Sequence, residues 1–224
     1  EKLIEPLMAQ AQCHNQAKHR ADVVNIYSRA LHIQRVSSGL NDAKQLPILD
    51  RLIQSHEHMQ DWAQVDKRQN MVYHIKSRVF AVQDDGYAQA LNDLTEWKLR
   101  AHRNNLLDKS PAGSIGDLRK LVRSHDLALK KIEQSQGLVN ASAEVNILYS
   151  RSLAQLEIAR FTIKQPLENF SNPSNEVVTK RVCRSTRDAN GNVVQNCFNT
   201  QQVNPNYRQD QLREKQMAVQ AALR

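Results

Sequence analysis

The stretch LMAQAQCHNQAKHRADVVNIYSRALH, residues 7–32, decides the fold, because LDRLIQSHEHMQDWAQVDKRQNMVYH, residues 49–74, sets the same pattern down again. Leu7 and Leu49, His14 and His56, Ala21 and Ala63, Val23 and Val65, His32 and His74, and Ile33 and Ile75 are all 42 positions apart. Self-similarity at about 40 residues is the mark of stacked helical hairpins, since one hairpin cannot bury its apolar face without a neighbour.

Working outward, Leu3 to Asn15 reads as a helix through Leu3, Leu7 and Ala11, and Ala21 to Val36 as its partner through Val24, Tyr27, Leu31 and Ile33. Gly39 is placed to end the pair as a C-cap glycine. Gln45 to Met59 and Asp61 to Val79 repeat the arrangement, with Asp61 set to cap the second helix ahead of Trp62. A third first-helix runs from Tyr87 to Arg103, where Leu91 and Leu94 continue the series of Leu49 and Leu52. A loop from Asn104 to Ser114, containing Pro111 and Gly113, then delays the second helix to Asp117 through Gln134. After Gly137, Ser142 to Lys164 reads as the start of a fourth repeat with Val145, Leu148, Tyr149, Leu153, Leu156, Ile158 and Phe161 as its buried stripe.

Composition fits a helical protein and argues against a disordered one: the chain is 40% hydrophobic and 24% charged, and 6 Gly and 6 Pro in 224 residues leave few breakers. No run approaches the roughly 18 apolar residues needed to cross a bilayer. The chain opens Glu1-Lys2-Leu3-Ile4, which reads as a processed or truncated product with further repeats expected upstream.

The order Leu7, Ala11, Ala21, Val23, Ala30, Leu31 and the turn Asp61-Trp62-Ala63-Gln64-Val65 resembles the tetratricopeptide repeat, and the long period resembles its kinesin-light-chain-type variety. Residues 29–36 (RALHIQRV), 45–49 (QLPIL) and 96–101 (EWKLRA) resemble an uncharacterised group of bacterial tetratricopeptide proteins. The resemblance implies an all-α superhelix of antiparallel helix hairpins over residues 1–168, non-enzymatic, acting as a protein-binding scaffold. It also implies a concave groove lined by one face of each first helix: Met8, Gln12, Asn15 and Gln16, then Asp50, Gln54, Glu57 and His58, then Asn92, Glu96 and Arg100. Polar side chains of both signs suit hydrogen bonding to a peptide or partner protein, and a solvated helix face is the competing reading.

Residues 169–224 differ in character. Val177 to Cys183 and Asn192 to Phe198 read as two strands around Asp188-Ala189-Asn190-Gly191. A three-residue loop, Ala189 to Gly191, puts Asp188 opposite Asn192 and Cys183 opposite Cys197; a two-residue Asn190-Gly191 turn makes the cysteines miss by one and face apart. In the first register a disulfide closes a loop of about 15 residues, worth about 3 kcal/mol by chain entropy, and implies an oxidising compartment; with the bacterial resemblance, that compartment is the periplasm or the cell surface. Two reduced thiols are the alternative, and a metal site lacks further Cys or His nearby to complete four ligands. Cys13 is expected as a buried free thiol. Tyr207 to Leu223 reads as a final helix that either caps the last repeat or mediates self-association.

Charge is uneven: from Val177 onward eight Lys and Arg stand against three Asp and Glu, so the terminal module carries about +5 of the net +8 and favours anionic envelope components. Nucleic acid is disfavoured, since Phe198 and Tyr207 are the only aromatics there to stack bases. No phosphate loop, nucleophile elbow or paired-acid motif points to catalysis or a cofactor. Histidines recurring at 14 and 56, and at 32 and 74, read as helix packing, and His56-Glu57-His58 has the wrong spacing for one helical face. Asn140 and Asn169 head sequons that read as chance in a bacterial protein. The expected function is an interaction scaffold of the bacterial envelope, and the alternative a structural subunit that self-associates through its C-terminal hairpin and helix.

Overall fold

A computed structural model describes residues 3–16, 19–135, 141–170 and 176–223. The chain divides into two compact units, Glu1–Glu157 and Ile158–Arg224. The first holds α1 (Ile4–Gln16), α2 (Arg20–Ser38), α3 (Leu46–His58), α4 (Trp62–Val79), α5 (Asp85–Arg103), α6 (Pro111–Gln134) and most of α7 (Ala141–Lys164). From α1 to α6 each helix packs on the helix that follows it in the chain, a helical repeat-like arrangement. The 42-residue offset carries burial with it: Val23 and Val65 are both buried, as are Ala11 with Ile53 and Ala30 with Val72, all within one continuous core.

Local chemistry sets the helix ends. Gly39 has φ 92° and its N–H donates to the Arg35 carbonyl at 2.9 Å, ending α2 in a conformation that costs glycine little. Asp61 caps α4, its carboxylate accepting from the Gln64 N–H at 3.3 Å. α6 begins six residues before the expected Asp117. Ser110 accepts from the Gly113 N–H at 3.1 Å, and Pro111 occupies the first turn, where its missing N–H is no loss. The Pro and Gly that read as loop breakers are thus a helix start.

The buried stripe of α7 is also corrected. Val145, Leu148, Tyr149 and Leu156 are exposed, Leu153 and Phe161 half-buried, and of the expected set only Ile158 is buried. The inner face of α7 within the first unit is Ala143, Ile147, Ser150, Ala154 and Gln155. It is chosen by a polar contact: the fully buried His125 of α6 has Nδ1 2.8 Å from the Leu121 carbonyl and Nε2 2.9 Å from Ser150 Oγ, with Thr95 Oγ1 of α5 at 3.3 Å. Leaving a buried imidazole unpaired is costly, and the small hydroxyl face of α7, turned inward in place of the larger apolar one, supplies the partner for His125. Histidine packing holds for His56, which is buried; His14 is half-buried, and His32 and His74 are exposed. Cys13 is exposed, contrary to expectation.

The second unit contains the end of α7, a single 3-10 turn (Leu167–Phe170), the strands β1 (Val177–Arg187) and β2 (Val193–Val203), and α8 (Tyr207–Leu223). Lys215 of α8 donates to the Gln165 carbonyl at 2.6 Å, and its ammonium stands 5.7 Å from the centre of the Phe170 ring. The strands form a two-stranded antiparallel ribbon with Cys183 opposite Cys197, joined by a disulfide. The three-residue loop is the one formed: the Asp188 N–H donates to the Asn192 carbonyl at 2.9 Å, and Gly191 has φ 83°. Backbone N–H groups of Asn190 and Asn192 donate to the Asp188 carboxylate at 2.9 and 2.8 Å; these bonds hold its pKa below the usual carboxylate range. Both strands run four to five residues beyond the segments expected from sequence, because Arg184–Arg187 and Asn199–Val203 continue the ladder with no apolar face to announce it.

Candidate functional site

Three consecutive helices line an open cavity of about 500 Å³. α3 contributes Asp50, Ile53, Gln54 and Glu57, which fall three or four residues apart and therefore share one helical face. α4 contributes Gln69, Val72 and Lys76; α5 contributes Asp93, Glu96, Trp97 and Arg100. Ile53, Val72 and Trp97 are buried and make an apolar floor, while the walls are charged.

Trp97 is fixed from behind. Its indole N–H donates to Asp66 Oδ1 of α4 at 2.7 Å, the same oxygen receives Lys98 Nζ at 2.7 Å, and the Trp62 ring lies 6.3 Å away. With its polar atom satisfied, the ring serves as a rigid surface. The Arg100 guanidinium stands 5.0 Å from the ring centre and pairs with the Glu57 carboxylate, which ties α5 to α3. Lys76 Nζ pairs with Asp93 Oδ2 at 3.2 Å, tying α4 to α5. Asn92 donates to Glu96 at 3.1 Å.

Four acids (Asp50, Glu57, Asp93, Glu96) therefore face two bases, and both bases are engaged by Glu57 and Asp93. Partial desolvation raises the Asp50 carboxyl above the usual carboxylate range, Lys76 opposes the rise and Asp93 adds to it.

Of the site residues expected from sequence, the structure brings Asp50, Gln54, Glu57, Glu96 and Arg100 together around this cavity. Asn92 lies beside it through Glu96, while His58 is exposed at the end of α3 with its carbonyl taken by Arg20 Nη1 at 2.8 Å. Gln12 is exposed on α1, and Met8 packs against the core. The side chains of Asn15 and Gln16 lie outside the described residues. Sequence reasoning missed the α4 wall because it assigned the groove to first helices alone. The spacing Gln69, Val72, Lys76 was the available signal, a polar-apolar-basic stripe on one face.

Among the described residues one group has metal-ligand spacing: His14, His19 and Asp22, whose ligand atoms lie within 4.8 Å of one another at the α1–α2 turn. None is buried, so nothing there withdraws a cation from water. Among the described residues no helix is long and apolar enough to cross a membrane. No family model matches the chain, and no curated protein matches it.

Proposed function

We propose that the chain is a non-enzymatic interaction module of the tetratricopeptide kind, working in the bacterial envelope and holding an extended segment of a partner protein in the α3–α4–α5 cavity. The observation that carries the reading is the cavity's charge: Asp50 and Glu96 remain after the two internal ion pairs are counted, on a chain whose net charge is +8. A Lys or Arg side chain fits both parts of such a site. Its alkyl stem covers Ile53, Val72 and Trp97 while its head meets the carboxylates. The disulfide between Cys183 and Cys197 supports an oxidising compartment.

The test is a binding titration, read by tryptophan fluorescence, against pools of extended peptides that differ only in carrying Lys or Glu at one position. Lys peptides are expected to bind, and Asp50→Lys with Glu96→Lys to weaken them about tenfold or more, as the loss of about 1.4 kcal/mol requires. Equal binding of the Glu pool, or no effect of the double reversal, ends the reading. A second reading, a structural subunit that self-associates through its C-terminal hairpin and helix, is favoured by the apolar side chains that unit exposes: Val193, Phe198 and Val203 on β2, and Leu212, Met217 and Leu223 on α8.

A further inference from the structure

The two edges of the β ribbon differ in a way that selects a partner. β1 carries Lys180, Arg181, Arg184 and Arg187; β2, VVQNCFNTQQV, carries no charge over all eleven residues. Among the described residues the ribbon has no third strand, so each strand leaves one edge open.

The residues that offer their backbone to the open edge follow from the ladder. Asn192 and Asn204 each bond toward β1 and its flank, the Asp188 N–H reaching the Asn192 carbonyl and the Asn204 N–H the Glu176 carbonyl, each at 2.9 Å. The register is unbroken between them, so the even-numbered residues of β2 bond inward and the odd-numbered ones point outward. The 4.0 Å Cα separation of Cys183 and Cys197 agrees, since odd pairs are then the close, non-hydrogen-bonded ones.

Read outward, the odd residues are Val193, Gln195, Cys197, Asn199, Gln201 and Val203. Their order is nearly the same in both directions about Phe198: Val with Val, Gln with Gln, Cys with Asn. A strand that reads alike from both ends is self-complementary when two copies meet antiparallel about a two-fold axis, the closed isologous arrangement.

We infer that β2 pairs with β2 of a second copy of this chain, antiparallel and centred on Phe198, giving a four-stranded sheet with the basic β1 strands outermost. This narrows the self-association reading to one edge. In that register Val193 faces Val203 of the second copy and Gln195 faces its Gln201, with both outward bonds exchanged in each pair. The two Phe198 rings meet on the axis in a close pair, extending the Val182–Phe198 row already formed within each ribbon. Pairing through β1 is opposed: centred likewise on Val182, it sets Lys180 directly against Arg184 of the other copy, twice. The same cations, left on the outer edges, stop further strands from adding, so the sheet closes at four.

The test uses the full chain with its disulfide intact, in a Cys13→Ser background because that thiol is exposed. Sedimentation and light scattering are expected to give twice the mass of one chain. Gln195→Pro deletes one outward N–H while sparing the ladder to β1, and Phe198→Lys puts like charges together on the axis; each is expected to return the mass to that of one chain. Unchanged helical circular dichroism and an intact Cys183–Cys197 bond would show that these variants fold. Phe198→Cys is expected to crosslink two chains on mild oxidation, since a close antiparallel pair has disulfide geometry, while Arg181→Cys is not. A single-chain mass at every concentration overturns the inference together with the self-association reading. A two-chain mass that survives both Gln195→Pro and Phe198→Lys, or a mass that grows without limit, overturns the edge pairing and leaves self-association standing.

Discussion

Leu7, Leu49 and Leu91 are one position repeated at 42-residue intervals, and truncating each to Ala measures how far the repeat is a physical unit. Leu49 and Leu91 are 0% exposed in the continuous core, whereas Leu7 is half-buried and packs on its margin. Burying a leucine fully and then deleting it costs the transfer free energy of the lost carbons plus a cavity, about 3 kcal/mol for Leu49→Ala and for Leu91→Ala. With Leu7 only partly buried, at a margin free to relax, Leu7→Ala should cost less, about 2 kcal/mol. Both are readable against a domain stability of about 5–15 kcal/mol. The assay is urea unfolding followed by tryptophan fluorescence, because Trp62 and Trp97 both report on the first unit. If Leu7→Ala proved as costly as Leu91→Ala, burial would not be what sets the cost along the series, and if Leu49→Ala cost under about 1 kcal/mol, the 42-residue offset would not mark core positions. A changed denaturant slope in one variant alone would show the hairpins unfolding separately, as stacked repeats can.

Acid should weaken the first unit through its buried imidazoles. Desolvation holds His125 and His56 below their ordinary pKa, with the Leu121 carbonyl bond and Asp126 pulling His125 partly back and Asp61 doing so for His56. The unfolded chain therefore binds more protons near pH 6.5, so stability is full above that value and falls as pH drops through it. The slope is at most about 1.4 kcal/mol per pH unit for each group. His125→Gln should flatten part of that slope in unfolding curves taken from about pH 7.5 to 5; an unchanged slope would assign it elsewhere. Asp61→Ala should cost about 1 kcal/mol by removing the α4 cap, and Asp61→Asn much less; equal losses for both would mean that charge, not capping, matters there. Cys183→Ser with Cys197→Ser should speed amide exchange throughout β1 and β2 while leaving α3 to α5 protected, an effect of about 3 kcal/mol on the ribbon. Exchange that rose equally in the helices would tie the two units together more closely than a separate ribbon allows.

Helix order, the α4 cap, the Gly39 stop and the cysteine register were legible because each rests on local spacing: period 3.6, a capping side chain, a left-handed glycine, strand parity. The start of α6 was not, since Ser-Pro reads equally as a loop or as a cap until something packs on Ile115 and Leu118. The face of α7 was hidden for another reason. Hydropathy ranks Leu148 and Tyr149 above Ala143 and Ser150, and only the distant His125 makes the smaller face the better one to bury. Half of the groove came within reach through the resemblance, which assigns one face of each first helix and so covers α3 and α5, while the wall from α4 depends on how a second helix rotates against two neighbours. Strand length escaped because a ribbon exposed on both faces leaves no alternation to read.

The sulfur bridge also sets what a protease can accomplish. The tip from Asp188 to Asn192 is exposed, and it lies inside the ring closed by Cys183 and Cys197. Cleavage there would yield two pieces that travel as one until a reductant is added, so α8 would stay tethered to the rest of the chain. A cut below the bridge, between Phe198 and Asn206, would sever the covalent tether and leave α8 held only by contacts such as Lys215 to the Gln165 carbonyl.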